Sequence, residues 1–261
     1  MKAHPLIALA ILLCGSLYAA EPRLPVKRDF HLFLLAGQSN MSGRGKIDPQ
    51  DNSAHPGVWV LAKDGAWMPA LDPLHYDKPA AAAGIGKPFA EILAKKKSRL
   101  AIGLIPAACG GAPISVWAPG MKHAQTQSLP YDDAIARAKR ALQDGTLKAI
   151  LWHQGESDCT DALAAVHEEK LRELITRLRT DLGAPGLPFL IGQLGQFGHW
   201  SPAAQQVDQA QKKVAQSMPH VYFVASDKLT SADGIHFDAR SLKIMAERYA
   251  EAYESLSNKN K

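Results

Sequence analysis

The stretch Phe33-Leu34-Leu35-Ala36-Gly37-Gln38-Ser39-Asn40-Met41 runs from an apolar segment straight into a glycine and then a serine. A short, continuous apolar run closed by a turn signal reads as a strand buried on both faces, as inside a parallel sheet. In open α/β sheets ligands bind outside the carboxyl ends of the strands, so this turn sets a hydroxyl where chemistry takes place. Ser39 then reads in two ways, as a nucleophile or as the cap of a following helix. The local sequence does not separate the two.

Outward from that turn, extended apolar segments alternate with amphipathic ones. Strands are expected at His31–Ala36, Leu100–Pro106, Ala149–His153, Phe189–Leu194 and Val221–Ala225. Between and after them Gly86–Lys97, Tyr131–Asp144, Leu163–Leu182, Ala203–Ser217 and Ser241–Leu256 carry apolar residues at three- and four-residue spacing, the mark of covering helices. The alternation predicts an α/β fold, a three-layer α/β/α sandwich around a five-stranded parallel sheet. The segment Arg44–Ala83 stands apart, with Pro49, Pro56, Pro69, Pro73 and Pro79. It reads as a loop-rich insertion, a type of segment that is usually functional. Within it, Trp59 and Trp67 are read as packing residues in preference to a sugar-stacking face.

With 261 residues, 46% of them hydrophobic, the chain can bury one large core. Residues 1–20 combine Lys2, an apolar stretch from Leu6 to Leu13 and the small pair Ala19-Ala20, the arrangement of a cleavable secretory signal. The expectation is therefore a single domain at residues 21–261, secreted or periplasmic after cleavage near Ala20. The apolar stretch is too short for a membrane span, so no stable membrane association is expected. Leu13 is too bulky for lipid attachment at Cys14. Past the leader Cys109 and Cys159 remain, and two unpaired residues are a simpler expectation than a bond between them. The net charge of +5 is scattered rather than gathered into a groove with interleaved aromatics, which argues against a nucleic-acid partner.

The chemistry needs a base for Ser39. Asp233-Gly234-Ile235-His236-Phe237 follows the last expected strand and sets a carboxylate three residues before an imidazole. An imidazole takes the serine proton, and a carboxylate fixes its tautomer and stabilises the imidazolium. An ordinary Asp-Gly turn with a structural histidine is the alternative. Two further segments end strands at the same edge. Gly110-Gly111 lets backbone approach a ligand closely, and Gln154 carries a side-chain amide, so both are candidate donors to an oxyanion. Gln38, Asn40 and Glu156 are read as supports that orient these groups. His153, Glu156 and Asp158 match no metal-ligand spacing, and no metal or organic cofactor is called for.

Taken together, Gly37-Gln38-Ser39-Asn40-Met41, Gly110-Gly111, His153-Gln154-Gly155-Glu156 and Asp233-Gly234-Ile235-His236 resemble the SGNH hydrolase superfamily, a flavodoxin-like fold. The closer resemblance is to its branch of sialate O-acetylesterases and family 6 carbohydrate esterases, the acetyl xylan esterases. The resemblance implies that Ser39 is the nucleophile, His236 the general base and then acid, and Asp233 its orienting partner. It also implies an oxyanion hole built from the amide of Ser39, an amide of Gly110 or Gly111, and the side chain of Gln154. Many superfamily members have Asn at that last position, and Gln is a feature of the branch. Met41 stands where a nucleophile elbow would have its second glycine, so the α/β-hydrolase pattern does not apply. The implied function is a secreted serine esterase acting on acetylated carbohydrate, of the xylan or sialic acid type. The alternatives are an esterase of small non-carbohydrate or lipid esters and a non-catalytic carbohydrate-binding protein on the same fold.

Overall fold

The protein was analysed as a computed structural model that describes residues 24–198 and 200–259; the expected leader at residues 1–20, Cys14 included, lies outside the described residues. The chain forms strands β1 (Phe30–Gly37), β2 (Val58–Leu61), β3 (Trp67–Pro69), β4 (Ala101–Pro106), β5 (Thr146–His153), β6 (Phe189–Gly192) and β7 (Val221–Val224). Its helices are α1 (Ser39–Ser42), α2 (Gly86–Lys96), α3 (Pro130–Ala141), α4 (Asp161–Asp181), α5 (Pro202–Ser217) and α6 (Ala239–Lys259). The strands make one sheet in the order β3-β2-β4-β1-β5-β6-β7, parallel throughout except for β3, which runs antiparallel to β2. Among the described residues no helix is long and apolar enough to cross a membrane.

The fold class is the expected α/β sandwich, but the sheet has seven strands rather than five. The two additional strands lie in the Pro-rich insertion. Val58-Trp59-Val60-Leu61 pairs in parallel with β4, then turns back through Asp64-Gly65, where the glycine takes φ +85°, into Trp67-Met68-Pro69. Both strands are short and Pro69 removes a ladder donor, so proline content hid a β-run and an Asp-Gly turn that were legible on their own.

β1 is central and buried, and its side chains alternate between two cores. Phe33 and Leu35 face α2 and α6, where Phe33 meets Phe89 and Tyr253 edge to face at 4.9 and 5.0 Å. Leu32, Leu34 and Ala36 face the opposite core with α3 and α4, where Trp117 and Trp152 pack edge to face at 4.9 Å. Each large apolar side chain removed from water in these layers contributes about 1.5–3 kcal/mol. Trp59 is buried in the second core, while Trp67 packs on Phe30 and donates to Asp144 at 2.9 Å, so both tryptophans pack as expected. The chain runs to one side of β1 for β2 and β4, then crosses to the other side for β5. That reversal puts the point where the strand order changes direction at the carboxyl end of β1, directly before Ser39.

Candidate active site

Gly37 lets the chain leave β1 sharply. It takes φ +124°, and a Cβ placed on it would lie 2.1 Å from the carbonyl oxygen of His153 on the neighbouring strand. No other residue fits there. The next N–H, that of Gln38, donates to the same carbonyl at 2.8 Å, and α1 then begins at Ser39. Ser39 is buried apart from a small window, 6% exposed, and its backbone N–H has no acceptor among the described residues.

The loop after β7 brings the base. A bridge between Ser231 and Phe237 closes it, and Gly234 at φ +82° makes the reversal. Asp233 Oδ1 accepts the backbone N–H groups of Ile235 at 2.9 Å and His236 at 2.7 Å, a side-chain-closed turn that fixes the imidazole relative to its carboxylate. His236 Nδ1 lies 2.6 Å from Asp233 Oδ2, and Nε2 lies 3.0 Å from Ser39 Oγ, a residue 197 positions away. With the proton on Nδ1 donated to the carboxylate, Nε2 is left to accept from the serine hydroxyl. The His236 backbone N–H, then its ring, hold the Asp233 carboxyl well below the usual carboxylate range, so it stays ionised in mild acid.

Asn40 clamps that loop on both sides of the histidine. Its Nδ2 donates to Ile235 O at 3.2 Å and its Oδ1 accepts the N–H of Phe237 at 3.0 Å. The same Nδ2 donates to Glu156 Oε1 at 2.5 Å. Burial pushes the Glu156 acid up, and its other oxygen is buried without a partner. Gln38 Oε1 takes long contacts from the amides of Gly155 and Ser157, at 3.4 and 3.3 Å, pinning the chain before Ser39 to the turn after β5. Gln38, Asn40 and Glu156 thus tie the turn at Ser39 to the loop after β5, and Asn40 ties it to the histidine loop as well.

The four candidate oxyanion donors divide. The N–H of Ser39 is free, and so is that of Gly111 among the described residues, at a residue with φ +81°. Of the glycine pair, between which the sequence left the choice open, it is Gly110 whose N–H is engaged, donating to Asp77 Oδ2 at 2.7 Å. The Gln154 side-chain amide is engaged as well. Its side chain is fully buried, and its Nε2 donates to Asp158 Oδ2 at 2.7 Å and to Ala112 O at 3.3 Å, which engages both amide hydrogens. The physical reason is a stronger acceptor within reach, since a buried carboxylate draws any nearby N–H. Asp158 also accepts the N–H of Ile114 at 3.1 Å and faces His167 Nδ1 at 3.0 Å, so it ties the loop after the glycine pair to α4. Sequence reasoning gave Asp77 and His167 no part here, and neither carries a local signal. Asp77 sits in the irregular insertion, and His167 looks like one polar residue on an amphipathic helix.

Behind the site His153 is fully buried, and burial alone lowers it to about 3, so it is a neutral imidazole. Its ring packs edge to face on Phe237 at 5.4 Å, next to the histidine of the loop. Both remaining cysteines are free thiols. Cys109 Sγ sits 3.2 Å from both His123 Nδ1 and Thr126 Oγ1, and burial pushes the Cys159 thiol up to about 12. Among the described residues no three His, Cys, Asp or Glu side chains converge as a metal-holding group.

Set beside known proteins, residues 29–255 match the family described as carbohydrate esterase, sialic acid-specific acetylesterase. A probable carbohydrate esterase of Arabidopsis thaliana is 34% identical over 183 residues, 61% of this chain, and the chain covers 66% of that relative's length. The crystal structure of the Arabidopsis protein superposes with a TM-score of 0.76 at 29% identity, over 86% of this chain and 98% of that one. The fold is shared further with NanS, at a TM-score of 0.72 and 16% identity over 90% of this chain and 100% of that one. A carbohydrate acetylesterase of Xanthomonas citri shares it too, at 0.67 and 21%, over 86% and 55%.

Proposed function

The chain belongs to the carbohydrate esterase family of sialic acid-specific acetylesterases, and we propose that it hydrolyses O-acetyl esters of carbohydrates with Ser39, His236 and Asp233 as its catalytic triad. The observation that carries this reading is the continuous hydrogen-bond chain from Ser39 Oγ through the imidazole to Asp233, at 3.0 and 2.6 Å. Ser39 attacks the acetyl carbonyl as His236 Nε2 takes its proton, giving a tetrahedral intermediate and an imidazolium paired with Asp233. The oxyanion is received by the free N–H groups of Ser39 and Gly111, each preorganised donor lowering the barrier by about 2.7–4 kcal/mol. Collapse returns the proton to the departing sugar hydroxyl and leaves an acetyl-enzyme. Water, deprotonated by the same imidazole, then releases acetate and restores Ser39.

The reading extends to a secreted or periplasmic enzyme whose leader is removed near Ala20, acting on an acetylated sugar without a nucleic-acid or membrane partner. An acetate-release screen over acetylated xylan, acetylated sialic acid and acetylated neutral oligosaccharides tests it. The wild-type chain releases acetate from one of these classes, and Ser39→Ala loses at least about 10⁴-fold in kcat with an unchanged far-ultraviolet circular dichroism spectrum. Turnover retained by Ser39→Ala, or activity confined to long acyl chains, overturns it.

A further inference from the structure

Beside the glycine pair lies a cavity of about 370 Å³ that the proposed chemistry does not use. Its floor is Pro106–Cys109, the segment that runs into Gly110, and the N–H of Cys109 donates to Gly37 O at 2.9 Å, so it borders the turn that carries Ser39. Asp77 lines the cavity and holds the Gly110 amide through Oδ2, while its Oδ1 is buried without a partner. His75, 4% exposed, lines it as well, with Nε2 buried and unpaired. Tyr76 stands at the mouth, 42% exposed, with Arg137 and Lys63 at 5.0 and 5.9 Å from its ring centre.

These groups define the ligand chemistry. Of the two cations that line it, Arg137 is not free to take an anion, since its guanidinium donates to the carbonyls of Leu61, Ala62 and Pro106, and Lys63 stands over the Tyr76 ring at the mouth. An anionic ligand would also face the carboxylates of Asp77 and Asp133. An acyl chain would leave Asp77 Oδ1 and His75 Nε2 without partners. A polyhydroxylated ring suits the two unpaired polar groups and the tyrosine together, because each hydroxyl both donates and accepts while the ring C–H face covers the tyrosine. The volume falls in the range of small-molecule sites.

We infer that this cavity is a subsite for an uncharged pyranose unit of the substrate, next to the unit that bears the acetyl group, with Tyr76 as its platform and Asp77 and His75 as hydroxyl partners. The inference rests on the acetylated-carbohydrate reading and narrows it to neutral oligosaccharides. The test compares wild type, Tyr76→Ala and Lys63→Ala on acetylated xylo-oligosaccharides and acetylated cello-oligosaccharides against 4-nitrophenyl acetate, which is too small to fill the cavity. Tyr76→Ala is expected to raise KM for the oligosaccharides about tenfold, and Lys63→Ala less, with kcat/KM for the aryl acetate unchanged. The non-acetylated oligosaccharide should inhibit wild-type aryl acetate turnover competitively and lose about tenfold in affinity in Tyr76→Ala. Unchanged KM on an oligosaccharide that wild type deacetylates, or an equal loss on both substrates, overturns the subsite alone. If wild type releases acetate from no carbohydrate, the functional reading falls and the subsite falls with it.

Discussion

Two loops meet at Ser39, and they are built in opposite ways. The loop holding Asp233 and His236 lies at the surface, with the Asp233 side chain 52% exposed and Ile235 56% exposed, and it is fixed by short-range bonds to its own backbone. The loop after β5 is interior, with Gln154 and Asp158 fully buried and bonded to groups from β4's following loop and from α4. The difference follows from what each has to carry. On the proposed reading, proton transfer needs an imidazole that leaving group and water can reach, whereas the turn at Ser39 needs a scaffold behind it that does not yield when charge develops. Asn40 joins the two, bonded to Glu156 of the interior loop and to both neighbours of His236.

If this division holds, substitutions in the outer loop change rate without changing stability, and those in the inner loop do the reverse. The largest effect is expected of His236→Ala, at least about 10⁴-fold in kcat with no loss in thermal midpoint. A large drop in midpoint would show that the outer loop is structural. Asp158→Ala comes next. It leaves His167 and the amides of Gln154 and Ile114 without their acceptor, and calorimetry should show a loss of about 3–5 kcal/mol. Gln154→Ala sharpens the contrast. With both amide hydrogens directed inward, it should cost about 1–3 kcal/mol of stability and only a few-fold in kcat. A loss of about 10²–10³ in kcat with stability intact would instead assign it to the oxyanion.

The smallest effect concerns pH. Asp233 is depressed below its ordinary 3.8, so it contributes stability that is present above that value and lost as pH falls through the depressed one. Exposure keeps this contribution small. The thermal midpoints of wild type and Asp233→Asn should therefore differ slightly at neutral pH and converge in strong acid. The wild-type profile of kcat/KM should carry no carboxylate limb in mild acid, where Asp233 is still ionised. A carboxylate-like limb near pH 4 in the wild-type profile would contradict the structure.

The strands β1, β4, β5, β6 and β7 were legible because each is a run of apolar residues, and the helices because their apolar stripes recur at three and four residues. The meeting of Ser39, Asp233 and His236 was legible as well, since each is a chemistry-bearing residue type at a fixed local spacing beside a strand end. The donors were harder to read. Gly110 and Gln154 have the chemistry of oxyanion donors, but whether an N–H is free depends on which acceptor the fold delivers to it. Asp77 arrives from an insertion without periodicity, and Asp158 captures Gln154 from four residues on, through a turn the sequence does not specify. Competition for a hydrogen is a property of the assembled structure.

The hairpin of β2 and β3 has a consequence for how copies of this molecule behave in concentrated solution. An unpaired edge of a sheet is a template on which a second chain can add its own strand. Here that edge is a three-residue strand running against its neighbour and ending in Pro69, which has no N–H to offer. The opposite edge, β7, is only four residues long. A sheet bounded in this way gives incoming strands little to grip, so the insertion that interrupts the regular alternation also guards the fold against edge-to-edge polymerisation.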